Sequence, residues 1–239
     1  MYKNYVFDLY GTLVDIRTNE NKSYLWDKMT EMFGFYGAFY EKNELKKKYF
    51  SYIKECEEER KKEEECPEID LAQIFRRLFE EKGVSVDDAT IGAFMKMFRI
   101  VSTKFVRLYD GVIDFMEALK NNNKKIYLLS NAQSEFTRPE ISYLGLEPYF
   151  DGILISSEEG CKKPGRRFYQ TIMERYQLNP KETIMIGNDS IADIRGAYEA
   201  GLDSLYIHTE ISPECVEDLK STYTIMDGDF TKVKDLVLR

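Results

Sequence analysis

The sequence predicts an α/β fold: a parallel β-sheet with helices on both faces, interrupted by an all-helical insertion. Three observations carry this. Five short apolar runs recur along the chain at 4–8, 126–130, 152–156, 183–187 and 203–207. Amphipathic helical patterns lie between most of them, as parallel strands joined by crossover helices require. One long segment, about 17–105, shows no convincing strand but keeps apolar residues at helical spacing.

The elements follow in order. Residues 4–8, Asn-Tyr-Val-Phe-Asp, form an apolar run that ends in an acid, and Gly11 follows at once. That reads as a buried strand with a turn behind it. The run at 126–130 ends in Ser130. The helical stretch 111–121 gathers Val112, Phe115, Met116 and Leu119 on one face, and 166–176 gathers Phe168, Ile172 and Met173. A third helix, 190–200, stops at Gly201. In the insertion, charges crowd into 41–66 while aromatics interleave: Tyr24, Trp26, Phe33, Phe35, Tyr36, Phe39, Tyr40, Phe50 and Tyr52. The charges read as solvated helix faces and the aromatics as the insertion's own core. The predicted organisation is a core from 1–16 and 106–239, with a helical cap over 17–105.

Bulk properties exclude several roles. The 239 residues are 43% apolar, enough for a real core, and carry a net charge of −8. A nucleic-acid partner would require a basic stripe, so none is expected. No apolar run approaches the ~20 residues of a membrane span, and Met1–Asp8 lacks the pattern of a signal peptide. Cys56, Cys66, Cys161 and Cys215 are scattered, with no CxxC pair. A reduced, cytoplasmic protein is the expectation. The single histidine, His208, reads as structural or solvent-facing.

In open parallel sheets ligands bind outside the carboxyl ends of the strands. Asp8, Ser130, Asn131, Asn188, Asp189 and Asp193 all fall at or just after such ends, and Lys162-Lys163-Pro164 lies between the third and fourth strands. A carboxylate, a hydroxyl, a lysine and an acidic pair thus converge on one edge.

These residues resemble the four motifs of the haloacid dehalogenase-like hydrolase superfamily. The first is Asp8-Leu9-Tyr10-Gly11-Thr12-Leu13-Val14-Asp15, and the second Leu128-Leu129-Ser130-Asn131. The third is Gly160-Cys161-Lys162-Lys163-Pro164, and the fourth runs from Gly187-Asn188-Asp189 through Asp193 to Ala197. Each is weak alone, but the four occur in order. The resemblance implies a Rossmann-like core with a helical cap inserted after the first motif. It also implies a hydrolase with Asp8 as nucleophile and Ser130 and Lys163 as catalytic partners. Thr12 and Asn131 fall at substrate-binding positions, with Asn188 and Asp193 in support.

The chemistry is self-consistent. A carboxylate attacking a phosphate monoester dianion meets repulsion, which Mg2+ on oxygen ligands cancels. Asp8, Asp189 and the Tyr10 backbone carbonyl are the expected ligands. Attack gives an aspartyl-phosphate, which water hydrolyses. The expected substrate is a small phosphorylated metabolite.

One departure matters. Phosphatases in the superfamily usually carry a second Asp two residues after the nucleophile, and here that residue is Tyr10. A phenol, with an ordinary pKa of about 10, is a poor substitute for a carboxylic acid. A phosphohydrolase without that acid favours leaving groups that need no proton, such as acyl or aryl phosphates. The alternative is a metal-independent 2-haloacid dehalogenase, a branch that Tyr10 and Tyr169 resemble. Against it, Asn188-Asp189-Ser190 stands where that branch has Ser-Ser-Asn, and the cap shows no Trp-Arg pair. A binding protein on a degenerate fold is the non-enzymatic alternative, disfavoured because Asp8, Ser130 and Lys163 occur together.

Overall fold

The computed structural model describes residues 2–238. Strand β1 (Asn4–Phe7) is followed by β2 (Val14–Thr18). Four helices come next: α1 (Ser23–Phe35), α2 (Lys42–Arg60), α3 (Leu71–Glu81) and α4 (Asp88–Ser102). The chain returns through β3 (Thr103–Leu108), α5 (Val112–Asn121), β4 (Lys125–Ser130) and α6 (Ser134–Tyr143). Then follow β5 (Gly152–Ile155), α7 (Ser156–Glu159), α8 (Arg166–Arg175) and β6 (Thr183–Gly187). A π-helical turn, Ser190–Arg195, runs into α9 (Gly196–Glu199). The described chain closes with β7 (Asp203–Ile207), β8 (Tyr223–Ile225) and α10 (Val233–Val237).

The main sheet is parallel, in the order β5-β4-β1-β6-β7-β8, a Rossmann-like α/β arrangement. Strand alternation divides its two faces. Tyr5, Phe7, Ile126, Leu128, Ile184 and Ile186 pack with α5 and α10, while Val6, Leu129, Leu154 and Met185 pack with Phe168, Tyr169 and Ile172 of α8. Strands covered on both sides must be apolar throughout, which is why they read as runs in the sequence. Strands β4 and β5 lie to one side of β1 and β6–β8 to the other. The order therefore reverses at β1, and the crevice that ligands use opens above its carboxyl end.

The helices α1–α4 enclose a separate apolar cluster of Trp26, Phe33, Tyr49, Phe75, Phe79, Phe94 and Phe98. Ring pairs such as Phe33–Phe79 (centroids 4.4 Å apart) and Phe79–Phe94 (4.9 Å) link all but α2, and Tyr49 of α2 joins through Trp26 at 5.2 Å. Each such pair contributes about 0.5–1.5 kcal/mol beyond area burial. Not every interleaved aromatic is buried in this core: Tyr24, Phe35, Tyr36, Phe39 and Phe50 are exposed, because helical phase turns Tyr24, Phe35 and Phe50 outward while Tyr36 and Phe39 lie in the α1–α2 loop.

The expectation of no strand in 17–105 gives way at its edges. β2 runs on to Thr18, and β3 begins at Thr103, pairing antiparallel with it. Val14-Asp15-Ile16-Arg17-Thr18 does alternate, but its charges mask the apolar signal. Asp15 is buried and paired with Arg107 across the two strands at 2.8 Å. Strand β8, only three residues long, was too short to stand out as a run.

Candidate active site

Asp8 sits one residue beyond β1, and its N–H donates to the Ile186 carbonyl of β6 at 2.9 Å. The main chain is thus pinned at the switch point. A tight turn follows, in which the Leu13 and Val14 N–H groups both donate to the Leu9 carbonyl at 2.9 Å. Gly11 takes a φ of +89°, and a Cβ there would lie 2.2 Å from Asn188 Nδ2. The glycine lets the turn close against the fourth motif.

Lys163 provides the charge at the centre. Its Nζ donates to Asp8 Oδ1 and to Asp193 Oδ1, each at 2.7 Å, with all three side chains nearly or fully buried. An ammonium has three donors, so one remains for a ligand. Burial works to lower the Lys163 pKa, but the charges of Asp193 and Asp8 outweigh it and hold the lysine above its ordinary range. Burial likewise drives Asp193 upward, against the attraction of Lys163. At 2.7 Å, with the lysine favoured in its charged form, the pair is an ion pair.

The neighbours hold this geometry. Asp193 Oδ2 accepts the Asp189 N–H at 2.9 Å. Gly187 makes room, since a Cβ there would meet the Asp193 carboxyl carbon at 2.3 Å. Tyr169 donates towards the carbonyls of Ala192 and Asp193 at 2.8 and 2.9 Å and holds the π-helical turn from below. Asn131 clamps the third motif: its Nδ2 donates to the Lys163 carbonyl at 2.9 Å while its Oδ1 accepts the Lys163 N–H at 2.8 Å. The Lys163–Pro164 peptide is cis.

A cavity of about 280 Å³ opens over these groups, lined by Asp8, Tyr10, Asn131, Lys163, Asn188, Asp189 and Asp193 among others. Seven of the nine residues singled out in the sequence therefore converge. Thr12 and Ser130 do not line it. Thr12 Oγ1 lies 3.4 Å from both Asp8 Oδ2 and Asn188 Oδ1. Ser130 Oγ, at the end of β4, is buried without a hydrogen-bond partner among the described residues. A buried hydroxyl left unpaired costs about 1–3 kcal/mol, which a ligand oxygen would relieve.

Tyr10 turns its phenol away from Asp8. Its Oη donates to Glu140 Oε2 at 2.6 Å and lies 3.1 Å from Thr137 Oγ1, both on α6. Arg99 of α4 grips the same Glu140 through Nε and Nη2 at 2.7 and 3.1 Å, with its guanidinium near the Tyr10 ring. Burial, then the Glu140 charge, push the phenol above the ordinary tyrosine range. Tyr10 therefore stays neutral, with its hydroxyl committed to α6. Sequence reasoning missed Glu140 and Arg99 entirely: they meet Tyr10 from α6, 130 residues away, and from α4, and no local pattern marks either.

No group of three or more His, Cys, Asp or Glu side chains placed to hold a metal occurs among the described residues. The donor set is instead two carboxylates, Asp8 and Asp189, with the Tyr10 residue on the same cavity. Asp189 Oδ1 is taken by the Ile191 and Ala192 N–H groups at 2.8 Å each, and no hydrogen bond among the described residues engages Oδ2. Hard oxygens, two of them anionic, fit Mg2+, which takes one or two carboxylates and keeps waters.

The fold and the site together define a hydrolase. The chain belongs to the haloacid dehalogenase-like hydrolase family, whose model matches residues 2–201. It is 28% identical over 152 residues to the HAD-hydrolase YfnB of Bacillus subtilis, covering 63% of each protein. It is 22% identical over 183 residues to a glyceraldehyde 3-phosphate phosphatase of Methanothermobacter thermautotrophicus, covering 69% of this chain and 80% of that one. By sequence, the chain thus spans just under two thirds of the Bacillus relative's length. Among solved structures it resembles a 2-haloacid dehalogenase of Pseudomonas syringae pv. tomato (TM-score 0.68, 17% identity, 99% of this chain and 98% of that one). At that identity the likeness speaks for the fold alone. No helix among the described residues is long and apolar enough to cross a membrane.

Proposed function

We propose that this hydrolase is a Mg2+-dependent, cytoplasmic phosphohydrolase of small phosphorylated metabolites, acting through an aspartyl-phosphate on Asp8. One observation carries the reading: the carboxylates of Asp8 and Asp189 open onto the same small cavity as the Lys163 ammonium. Two anions facing one cavity suit a cation and a phosphoryl group, and disfavour an uncompensated anionic substrate.

Asp8, Asp189 and the Tyr10 carbonyl would hold Mg2+, which when bound neutralises phosphoryl charge and orients the group. Asp8 carries the nucleophile on the oxygen that Lys163 does not grip. Its attack forms the Asp8–phosphorus bond as the bond to the leaving oxygen breaks. The spare Lys163 donor and the unpaired Ser130 hydroxyl stabilise charge on the phosphoryl oxygens. Asp193 keeps Lys163 in place, and Asn131 fixes the main chain that carries it. Water then attacks phosphorus, releasing phosphate and restoring the Asp8 carboxylate. Tyr10, neutral and committed to Glu140, offers no proton at the leaving oxygen, so good leaving groups react best.

Tyr10 also supports a second reading, a metal-independent 2-haloacid dehalogenase with the same nucleophile. A hydrolysis screen of acetyl phosphate, a hexose phosphate and 2-chloropropionate, with and without a chelator, separates them. The phosphohydrolase turns over acetyl phosphate fastest and stops on chelation. Dehalogenation that survives chelation overturns it.

A further inference from the structure

A second cavity, of about 300 Å³, adjoins the first and shares Tyr10 and Asn131 with it. It lies between cap and core, with Ile16, Leu71 and Phe136 as apolar wall and Glu20 and Arg99 as its charged lining residues. This is where the remainder of a substrate would lie when its phosphoryl group sits over Asp8. Most polar groups here are already committed. Gln133 spends its amide on Leu71 N–H and the Ile69 carbonyl at 3.0 and 2.8 Å, and Thr137 faces the Tyr10 phenol. Arg99 is balanced by its two-point contact with Glu140. Glu20 is different. Its backbone carbonyl accepts from Trp26 Nε1 at 2.7 Å, but no hydrogen bond or ion pair among the described residues engages its carboxylate. Burial pushes that carboxyl above its usual range, and the more distant Arg99 only partly offsets this. With Arg99 held by Glu140, the Glu20 carboxylate is left in the cavity without a contact partner among the described residues.

We propose that Glu20 is a specificity-determining residue that selects phosphate monoesters whose leaving group carries an ammonium or comparable cationic group. The inference rests on the phosphohydrolase reading. A cation near Glu20 would supply the partner the carboxylate lacks, whereas a carboxylate-bearing leaving group would meet repulsion in a poorly solvated cleft.

The test compares two probes of similar length and opposite charge, O-phosphoethanolamine and phosphoglycolate, at saturating Mg2+. Both release alkoxides, so the ratio of their kcat/KM values reports recognition more than leaving-group quality. The wild type favours phosphoethanolamine by about tenfold or more, the scale of one modest ionic contact. Glu20→Gln brings the ratio towards unity through KM, and Glu20→Lys inverts it. Circular dichroism and thermal melts establish that each variant is folded, and Glu20→Gln, nearly isosteric, keeps the test open if the lysine variant is not. A wild type that prefers phosphoglycolate, or a ratio that Glu20→Gln leaves unchanged, overturns the proposal. If the wild type hydrolyses p-nitrophenyl phosphate in an Asp8-dependent way yet shows no preference, the specificity claim alone fails. If it turns over neither acetyl phosphate nor any phosphate ester, the phosphohydrolase reading fails and takes this inference with it; if it turns over acetyl phosphate but neither probe, the specificity claim alone fails.

Discussion

Replacing Lys163 with methionine removes the only cation in contact with Asp8 among the described residues, in nearly the same volume. The lysine touches Asp8 and Asp193 at 2.7 Å each and is almost fully buried. Its loss leaves two carboxylates close together without their common partner. Breaking a buried ion pair from one side costs about 3–5 kcal/mol. For a chain of this size each kcal/mol moves the melting temperature by about 2–4 °C, so the expected drop is about 6–20 °C. The assay is thermal unfolding in chelator, because a divalent cation would substitute for the lost charge. A double-mutant cycle with Asp193→Asn isolates the contact. Adding that change to Lys163→Met recovers part of the loss, by removing one of the stranded charges, and the coupling exceeds about 1 kcal/mol. A drop below about 1 kcal/mol with no coupling would refute the claim that this ion pair organises the site.

Three further outcomes are expected. Asp189→Asn raises the Mg2+ concentration for half-maximal activity by about tenfold or more, while chelation stops the wild type; both are read by titrating turnover against free Mg2+. Tyr10→Phe removes the hydrogen bond to Glu140 and costs about 1–2 kcal/mol in urea unfolding, yet leaves the shape of the pH–rate profile intact, since the phenol moves no proton. Stability falls as pH rises above about 10: burial raises the pKa of Tyr10, Tyr49 and Tyr169, and raises that of Tyr5 to about 12. The folded chain then binds more protons than the unfolded one, and the stabilisation is full below the unfolded phenol's pKa and lost as pH climbs through the folded values. Tyrosinate absorbance that rises together with loss of secondary structure checks this.

The fold was legible because both faces of its sheet are covered, which forces runs such as Val6-Phe7 and Leu128-Leu129 to be apolar without interruption. The candidate site was legible to the extent that strand ends place residues. Asp8, Asn131 and Asp189 could be located from the strands alone, and the Lys163 contact follows once the third motif docks on Asn131. The Tyr10 substitution was visible, but not the direction of its side chain, which depends on Glu140 and Arg99 arriving from α6 and α4. Glu20 was hidden for a related reason. Its carboxylate matters through what it does not touch, and no spacing in the sequence encodes an unpaired charge in a cleft made by two separate parts of the chain.

The central claim is that Asp8 attacks phosphorus. The direct measurement is a single turnover of acetyl phosphate with Mg2+, quenched in acid and mapped by peptide mass spectrometry. A transient gain of one phosphoryl group on the peptide carrying Asp8, absent in Asp8→Asn and decaying as phosphate appears, is the predicted result. Phosphate release at the wild-type rate from Asp8→Asn, or a phosphoryl group trapped on another residue, would contradict it.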